Sequence, residues 1–492
     1  MKTNKNPPTL IWLIFLAGFV GLLVLLKSSN SHAQEDATFM QVAPQGFGDR
    51  DNSWTWSMQW WNGHLYVGTN RAWHCAEVAS LHNIFPQTIP YPPDDPDVDC
   101  PEDIEDISTQ AEIWRWTPET DTWTRVYQSP ADLQLPSGKF ISRDIGFRGI
   151  TVFREANGTE ALYVTGVSPK FIGYGVELPP PRILRSTDGV NFTPLPQDPG
   201  TFLGDITYSS FRNPVSFNGR LYLIGGIAQG SGVLLEAANP AGGNNNFQAV
   251  NPTNTLVSNV YPFNGYLYVG VKDALNGYAV LKSDFSGSPP YNFTTVVEDG
   301  GYAPEIEKNH EVLSMAMFNG DLYVGCNGLS LGLSGEDNAA ELIRIHPDDS
   351  WDVIVGLARN TPDGFKVPLS GYSAGFDNLF NAHMWRMEAF NGQLYVGTFD
   401  SSTTFKNDPI IGPLVEPIMG FDLYRSPNGT DFFPVTITGF GDKFNFGVRG
   451  MEATPYGLFV GTANYYYGLE VWRSLETGPR IYLPAIMSGA SQ

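Results

Sequence analysis

The sequence predicts an all-β fold: a seven-bladed β-propeller with four antiparallel strands per blade, the N-terminal strand closing the last blade. Three observations predict it. A short phrase of the type "AFNGQLYVGT" (Ala389 to Thr398) recurs along the chain. A strand-like segment ending in Arg follows most copies, and the two ends of the repeat region match each other. No long stretch keeps a 3.6-residue apolar period, and the chain carries 52 Gly and 37 Pro, which suits many turns over long helices.

The phrase appears as "WNGHLYVGT" at Trp61, "FNGRLYLIGG" at Phe217, "FNGYLYVGV" at Phe263 and "FNGDLYVGC" at Phe318, with looser copies at Glu160 and Tyr456. Apolar, alternating runs flank Asn-Gly, the dipeptide that accepts positive φ at both positions of a two-residue hairpin. Each phrase is therefore read as strands A and B. Tyr66, Tyr163, Tyr222, Tyr268, Tyr323, Tyr395 and Phe459 mark the blades. Strand C ends in Arg, as in "EIWRW" at Glu112, "DLYRS" at Asp422 and "EVWRS" at Glu470, and a polar turn then leads to strand D. The blades are expected near 54–127, 145–196, 208–250, 256–298, 311–356, 383–437 and 447–474. The last lacks a fourth strand of its own. "FMQVAPQGFGDRDN" at Phe39 parallels "FFPVTITGFGDKFN" at Phe432, so residues 38–43 are expected to complete it and latch the ring.

The segments "LYLIGG" and "WTPETDTWTRV" resemble Kelch-type repeats, and "STDGVNF" and "SPNGTDF" resemble shortened Asp-box turns of sialidase-like propellers. The Kelch double glycine occurs once, at Gly225 and Gly226, and the Asp-box aromatic is Phe. The resemblance implies the blade pattern and transfers no activity.

Residues 1–33 read as a signal peptide: Lys2 and Lys5, an apolar run over 10–26, then Ser31 and Ala33 before a cut after Ala33. The competing reading is a membrane anchor formed by residues 10–26. The propeller is assigned to 34–474 and a C-terminal tail to 475–492. The formal net charge of −22 becomes more negative once a leader with three Lys and no Asp or Glu is removed. That disfavours nucleic acid and anionic membranes and suits a secreted or surface-exposed monomer. Cys75 and Cys100 are candidates for a disulfide across one long loop; Cys326 is read as a buried thiol.

The insertions fall on one face. The B–C loops near 70–111 and 399–420 and the D–A segment near 356–382 lie opposite the tight hairpins, and elaborated loops on a rigid frame commonly carry binding. Asn52, Asn254, Asn309 and Asn381 sit eleven residues before the hairpin Gly, with Asn445 nearly so. They read either as Asx turns or, with Asp49, Asp377 and Asp442, as oxygen ligands of a central Ca²⁺ or water cluster. Arg148, Arg212, Arg386 and Arg449 follow, with Glu388 and Glu452; these read as a clamp for carboxylate or sulfate or as a lattice bracing blades. His310 and His383 are candidate general bases beside them. Trp73 and Tyr465, Tyr466 and Tyr467 are candidate exposed aromatics for a sugar or protein partner. The acidic "PDDPDVDCPEDIED" has part of a Ca²⁺ loop but lacks its Gly and distal Glu. There is no Walker loop, dinucleotide fingerprint, GxSxG or HExxH.

Three functions are compatible with this pattern. The favoured one binds a glycan or an extracellular protein on the loop-rich face, without a nucleotide cofactor. The second is a polysaccharide lyase or hydrolase using His310 or His383, Arg386 or Arg449, and Glu388 or Glu452. The third is a scaffold in an envelope complex.

Overall fold

Asn-Gly sets the hairpins. In the computed structural model, which describes residues 39–227, 232–251, 254–304, 308–328 and 339–475, Asn and Gly both take positive φ at 62–63, 218–219, 264–265, 319–320 and 391–392. Each is the two-residue turn that matches strand twist. The expected signal segment and anchor lie outside the described residues, as does the tail apart from Leu475. Among the described residues no helix is long and apolar enough to cross a membrane.

Each hairpin grows outward into an antiparallel run. The first contains Asn52–Trp61, His64–Arg71, Glu112–Thr117 and Thr122–Gln128. The same order starts again from Gly146–Arg154, Ser210–Phe217, Leu256–Phe263, Glu311–Phe318, Asn381–Phe390 and Gly447–Thr454. The run begun by Gly447–Thr454 takes its outer strand from the other end of the chain: Phe39–Gln41 pairs with Val471–Ser474, Phe39 opposite Ser474. Single pairings link the second strand of one run to the first of the next, as at Asn70–Gly146, Asn327–His383 and Phe399–Gly447. Trp54–Ala463 joins the first run to the last. The result is an all-β ring of radiating antiparallel runs, a β-propeller.

The phrase "LYVG" is explained by this geometry. Its Tyr is buried between runs, with Tyr66, Tyr163, Tyr222, Tyr268, Tyr323 and Tyr395 at 0–1% exposure, each contributing roughly 1.5–3 kcal/mol of burial. Its Gly faces the innermost strand of the next run. A Cβ at Gly270 would meet Val312 Cβ at 2.5 Å, and one at Gly397 would meet Val448 Cβ at 2.5 Å. The apolar core is accordingly divided into slabs between neighbouring runs, one built from Tyr268, Val280, Val312, Leu322, Val324 and Ile343.

The first insertion differs from the expected loop. It contains a helix, Trp73–Ile84, which Cys75 ties to Cys100 through a disulfide with a Cα–Cα distance of 5.5 Å.

Candidate functional site

Every innermost strand bulges at the same height. The register shifts between Thr55 and Ser57, Phe147 and Gly149, Arg212 and Val215, Val257 and Asn259, Val312 and Ser314, Met384 and Arg386, and Val448 and Gly450. A bulge inserts one unpaired residue and re-aims its side chain. Here the unpaired residues include Trp56, Arg148, Trp385 and Arg449, of which Trp56 and Arg148 line the central cavity. The cavity enclosed is about 280 Å³, and Gln59, Arg148, Tyr261, Arg386, Glu388 and Glu452 are among the residues lining it.

Four guanidinium groups meet at this level with little compensating charge. Arg212 and Arg449 are 6% and 5% exposed. Arg212 lies 3.6 Å from Glu311, which also holds Lys272 at 3.1 Å. Arg386 Nε donates to the Arg449 carbonyl at 2.9 Å. Arg148 packs 5.3 Å from the Trp56 ring centre and Arg449 4.9 Å from that of Trp385, contacts that attract a cation to the ring quadrupole. Among the described residues, Arg148 Nη1, Arg212 Nε and Nη2, and Arg449 Nε have no hydrogen-bond partner. Burial, reinforced by neighbouring arginines, lowers the pKa of Arg148 and Arg449 well below the usual value and that of Arg386 to about 10.

Glu388 and Glu452 line the same cavity further along their strands. Burial raises Glu388 to about 7. It raises Glu452 as well, with the nearby Glu388 charge adding to the effect. Glu452 accepts from Trp60 N at 2.7 Å and Gln59 Nε2 at 3.2 Å.

The candidate acid–base set is therefore divided. Arg386, Glu388 and Glu452 share the cavity, whereas His310 and His383 lie at strand starts outside its lining. His383 stacks on Phe399 with ring centres 4.6 Å apart, and its Nδ1 is 2.8 Å from the Ala382 carbonyl. Burial lowers its pKa to about 4, leaving it a neutral and weak base. His310 Nδ1 is 3.2 Å from the Asp273 carbonyl.

Two expectations about side-chain roles are corrected by the packing. The first concerns the oxygen ring. Asn52 is fully buried; its Nδ2 donates to Gly46 O and Glu112 Oε2, both at 2.9 Å, and its Oδ1 accepts from Thr69 at 3.1 Å. Asn381 repeats this with Gly375 O, Asp422 and Thr398 at 2.8, 2.7 and 2.9 Å. Asn309 donates to Ala339 O at 3.2 Å and accepts from Glu341 N at 3.1 Å. Asp49 is paired with Arg71 at 2.7 Å, Asp377 accepts from Ser373 N, and Asp442 accepts from Phe444 N and Asn464. These residues are braces between strand starts, with their amide and carboxylate groups already engaged, and none of them lines the channel cavity. Among the described residues no group of three or more His, Cys, Asp or Glu is arranged to hold a metal ion.

The second concerns the aromatics. Trp73 is 2% exposed and stacks on Phe171 at 4.7 Å; Tyr466 is 3% exposed. Tyr465 packs on Phe446 at 4.6 Å and His74 at 4.5 Å. Only Tyr467 of this set remains exposed, and its hydroxyl donates to Asp97 at 2.6 Å. The insertion folds back over the ring, so rings that look free in the sequence become its glue. The acidic stretch serves the same end: Asp95 and Asp97 hold Lys406 Nζ at 2.5 and 2.7 Å, joining two insertions. Hydrogen bonds from Lys406 and then Tyr467 lower the pKa of Asp97.

Sequence reasoning missed Trp56, Gln59, Tyr261 and Glu311. All four occupy innermost strands that the hairpin phrase already located. Counting back from the hairpin Gly puts Gln59 and Tyr261 at the position of Glu388, four residues before it, whereas the bulge at Trp56 shows only in the strand pairing.

No family model matches the chain, and no curated protein matches it. Similar solved structures include a chain from a "Mitotic Checkpoint Complex", at 11% identity and TM-score 0.45, with 97% of each chain covered. Another is a protein of unknown function from Dyadobacter fermentans DSM 18053, at 11% identity and TM-score 0.37, covering 74% of this chain and 94% of that one. Likeness at this level carries no argument about the site, and the fold rests on the strand pairings above.

Proposed function

We propose that the chain is a seven-bladed propeller of the extracytoplasmic space that binds an anionic group in its central channel. The group is a carboxylate or sulfate borne by a glycan or an extracellular peptide, and Arg148, Arg212, Arg386 and Arg449 receive it. The seven copies of the hairpin phrase support the blade number, and the leader-like N-terminus supports the address. One observation carries the binding reading: of four clustered guanidinium groups, Arg212 and Arg449 are buried and Arg148 and Arg386 are half-buried in the cavity lining, and the one ion pair they form among the described residues is with Glu311, which already serves Lys272. Uncompensated buried charge costs several kcal/mol, and a bound anion offsets that cost with charge-assisted hydrogen bonds.

The test is isothermal titration of uronic-acid, sulfated and neutral oligosaccharides and acidic peptides into the protein. Acidic ligands should bind and neutral ones should not. Arg386→Met should abolish binding while raising the melting temperature, because it removes one of the clustered charges. Equal affinity for neutral and acidic ligands, or unchanged binding by Arg386→Met, refutes the reading. A catalytic reading draws on Glu388, a carboxyl protonated near neutral pH beside Arg386; chain shortening or unsaturated products in the same titrations would establish it.

A further inference from the structure

We propose that the channel's ligand is a small dipolar molecule, an acid that also carries a cationic amine, with the acid on the arginines and the amine on Glu388 and Glu452. This rests on the anion-binding reading and specifies the ligand within it.

Arg386 and Glu388 are two residues apart on one strand, so their side chains leave the same face. Glu452 holds the same register position as Glu388, opposite Phe459 as Glu388 is opposite Tyr395, while Arg449 is the unpaired residue of the bulge, one step beyond Gly450, which holds the position of Arg386. The two strands belong to neighbouring runs, linked through Phe399–Gly447. The backbone positions of Arg386 and Glu388 are therefore about 7 Å apart along the strand, at roughly 3.3 Å of rise per residue, with Arg449 one step further from Glu452.

The two layers do not neutralise each other. Among the described residues neither Arg386 nor Arg449 forms an ion pair with Glu388 or Glu452; Arg386 Nε is spent on the Arg449 carbonyl. The carboxyl layer has neutral neighbours: Gln59 and the Trp60 amide on Glu452, with Tyr261 in the same lining. A simple anion would compensate the arginines but add nothing at the carboxyl groups, which burial keeps protonated unless a cation joins them. A dianion would press negative charge against them. An ammonium group about one short alkyl chain away from the acid satisfies both layers at once. The cavity, about 280 Å³, sits at the lower limit of small-molecule pockets, the size of one sugar or amino-acid residue and not of a threaded polymer.

The experiment compares three probes of one length by isothermal titration at neutral pH: 5-aminopentanoate, pentanoate and pentylamine. The aminoacid should bind at least tenfold more tightly than pentanoate, and pentylamine should not bind. The near-isosteric Glu388→Gln and Glu452→Gln variants, checked for native melting, should each cut 5-aminopentanoate affinity several-fold more than pentanoate affinity. Equal affinity for 5-aminopentanoate and pentanoate overturns the dipolar ligand and leaves the anion channel standing. Acidic sugars and pentanoate that all fail to bind remove the anion reading and this inference with it.

Discussion

Replacing Asn381 with Asp tests whether the buried asparagines are braces or metal ligands. Asn381 is fully buried, and so are its partners Asp422 and Thr398. Its Nδ2 donates to Gly375 O at 2.8 Å and to Asp422 Oδ2 at 2.7 Å. N381D removes both donors and sets a second carboxyl against Asp422. Losing a hydrogen bond to a charged buried partner costs about 1–3 kcal/mol, and setting a second buried charge against it costs several kcal/mol more. A loss of roughly 4 kcal/mol at neutral pH follows, a large share of the 5–15 kcal/mol typical of a native protein. Two facing carboxyl groups hold a shared proton more tightly than the unfolded chain does. The variant should therefore recover stability as pH falls and lose it as pH rises, relative to the native protein. Urea unfolding at pH 5 and pH 7, with a chelator or with excess calcium, measures this. Native-like stability of N381D in chelator, or rescue by calcium at pH 7, would refute the brace.

Three further outcomes are expected. Removing the disulfide with the paired changes Cys75→Ser and Cys100→Ser should cost roughly 3–4 kcal/mol, from the entropy of a loop spanning 25 residues, read as a lower urea midpoint that reductant does not lower further. Glu388 titrates near 7 in the fold and near 4.5 when unfolded, so the folded form binds the extra proton between those values. Stability should fall by at most about 3 kcal/mol as pH rises through that window, and Glu388→Gln should flatten the slope in a pH series of melting temperatures. Cys326 stands where other runs have Thr69, Thr398 and Thr462, beside the same kind of brace; Cys326→Thr should keep or raise the melting temperature, and native Cys326, fully buried with its thiol pKa raised by burial, should resist alkylation until unfolding.

What was legible in the sequence is what repeats locally. Asn-Gly turns, the buried Tyr and the crossing Gly each have a cause within one phrase. The matched "GFGD" segments also had a local reason. Phe47 and Phe440 both take positive φ, and a Gly carbonyl six residues before Asn52 and Asn445 accepts that amide's proton. The asparagine spacing was thus visible, but its partner was not, because Glu112 and Asp422 arrive from distant strand C segments. Bulges were hidden for the same reason: they exist only relative to a paired strand. Trp73 and Tyr466 were misjudged because the insertions pack on one another, and long-range packing leaves no period in the sequence.

The pairing of Phe39–Gln41 with Val471–Ser474 bears on how the molecule comes into being. The outer strand of the last run is made first and waits, edge exposed, until nearly all of the remaining chain has emerged. Closure is thus the contact of greatest sequence separation and a slow step by topology, and an unpaired edge invites foreign strands meanwhile. A chain stalled before Val471 would hold an open ring with two unsatisfied borders. Moving the break point to one of the Asn-Gly hairpins, so that Phe39–Gln41 follows Ser474 through a short linker, should speed refolding and reduce aggregation without altering the channel.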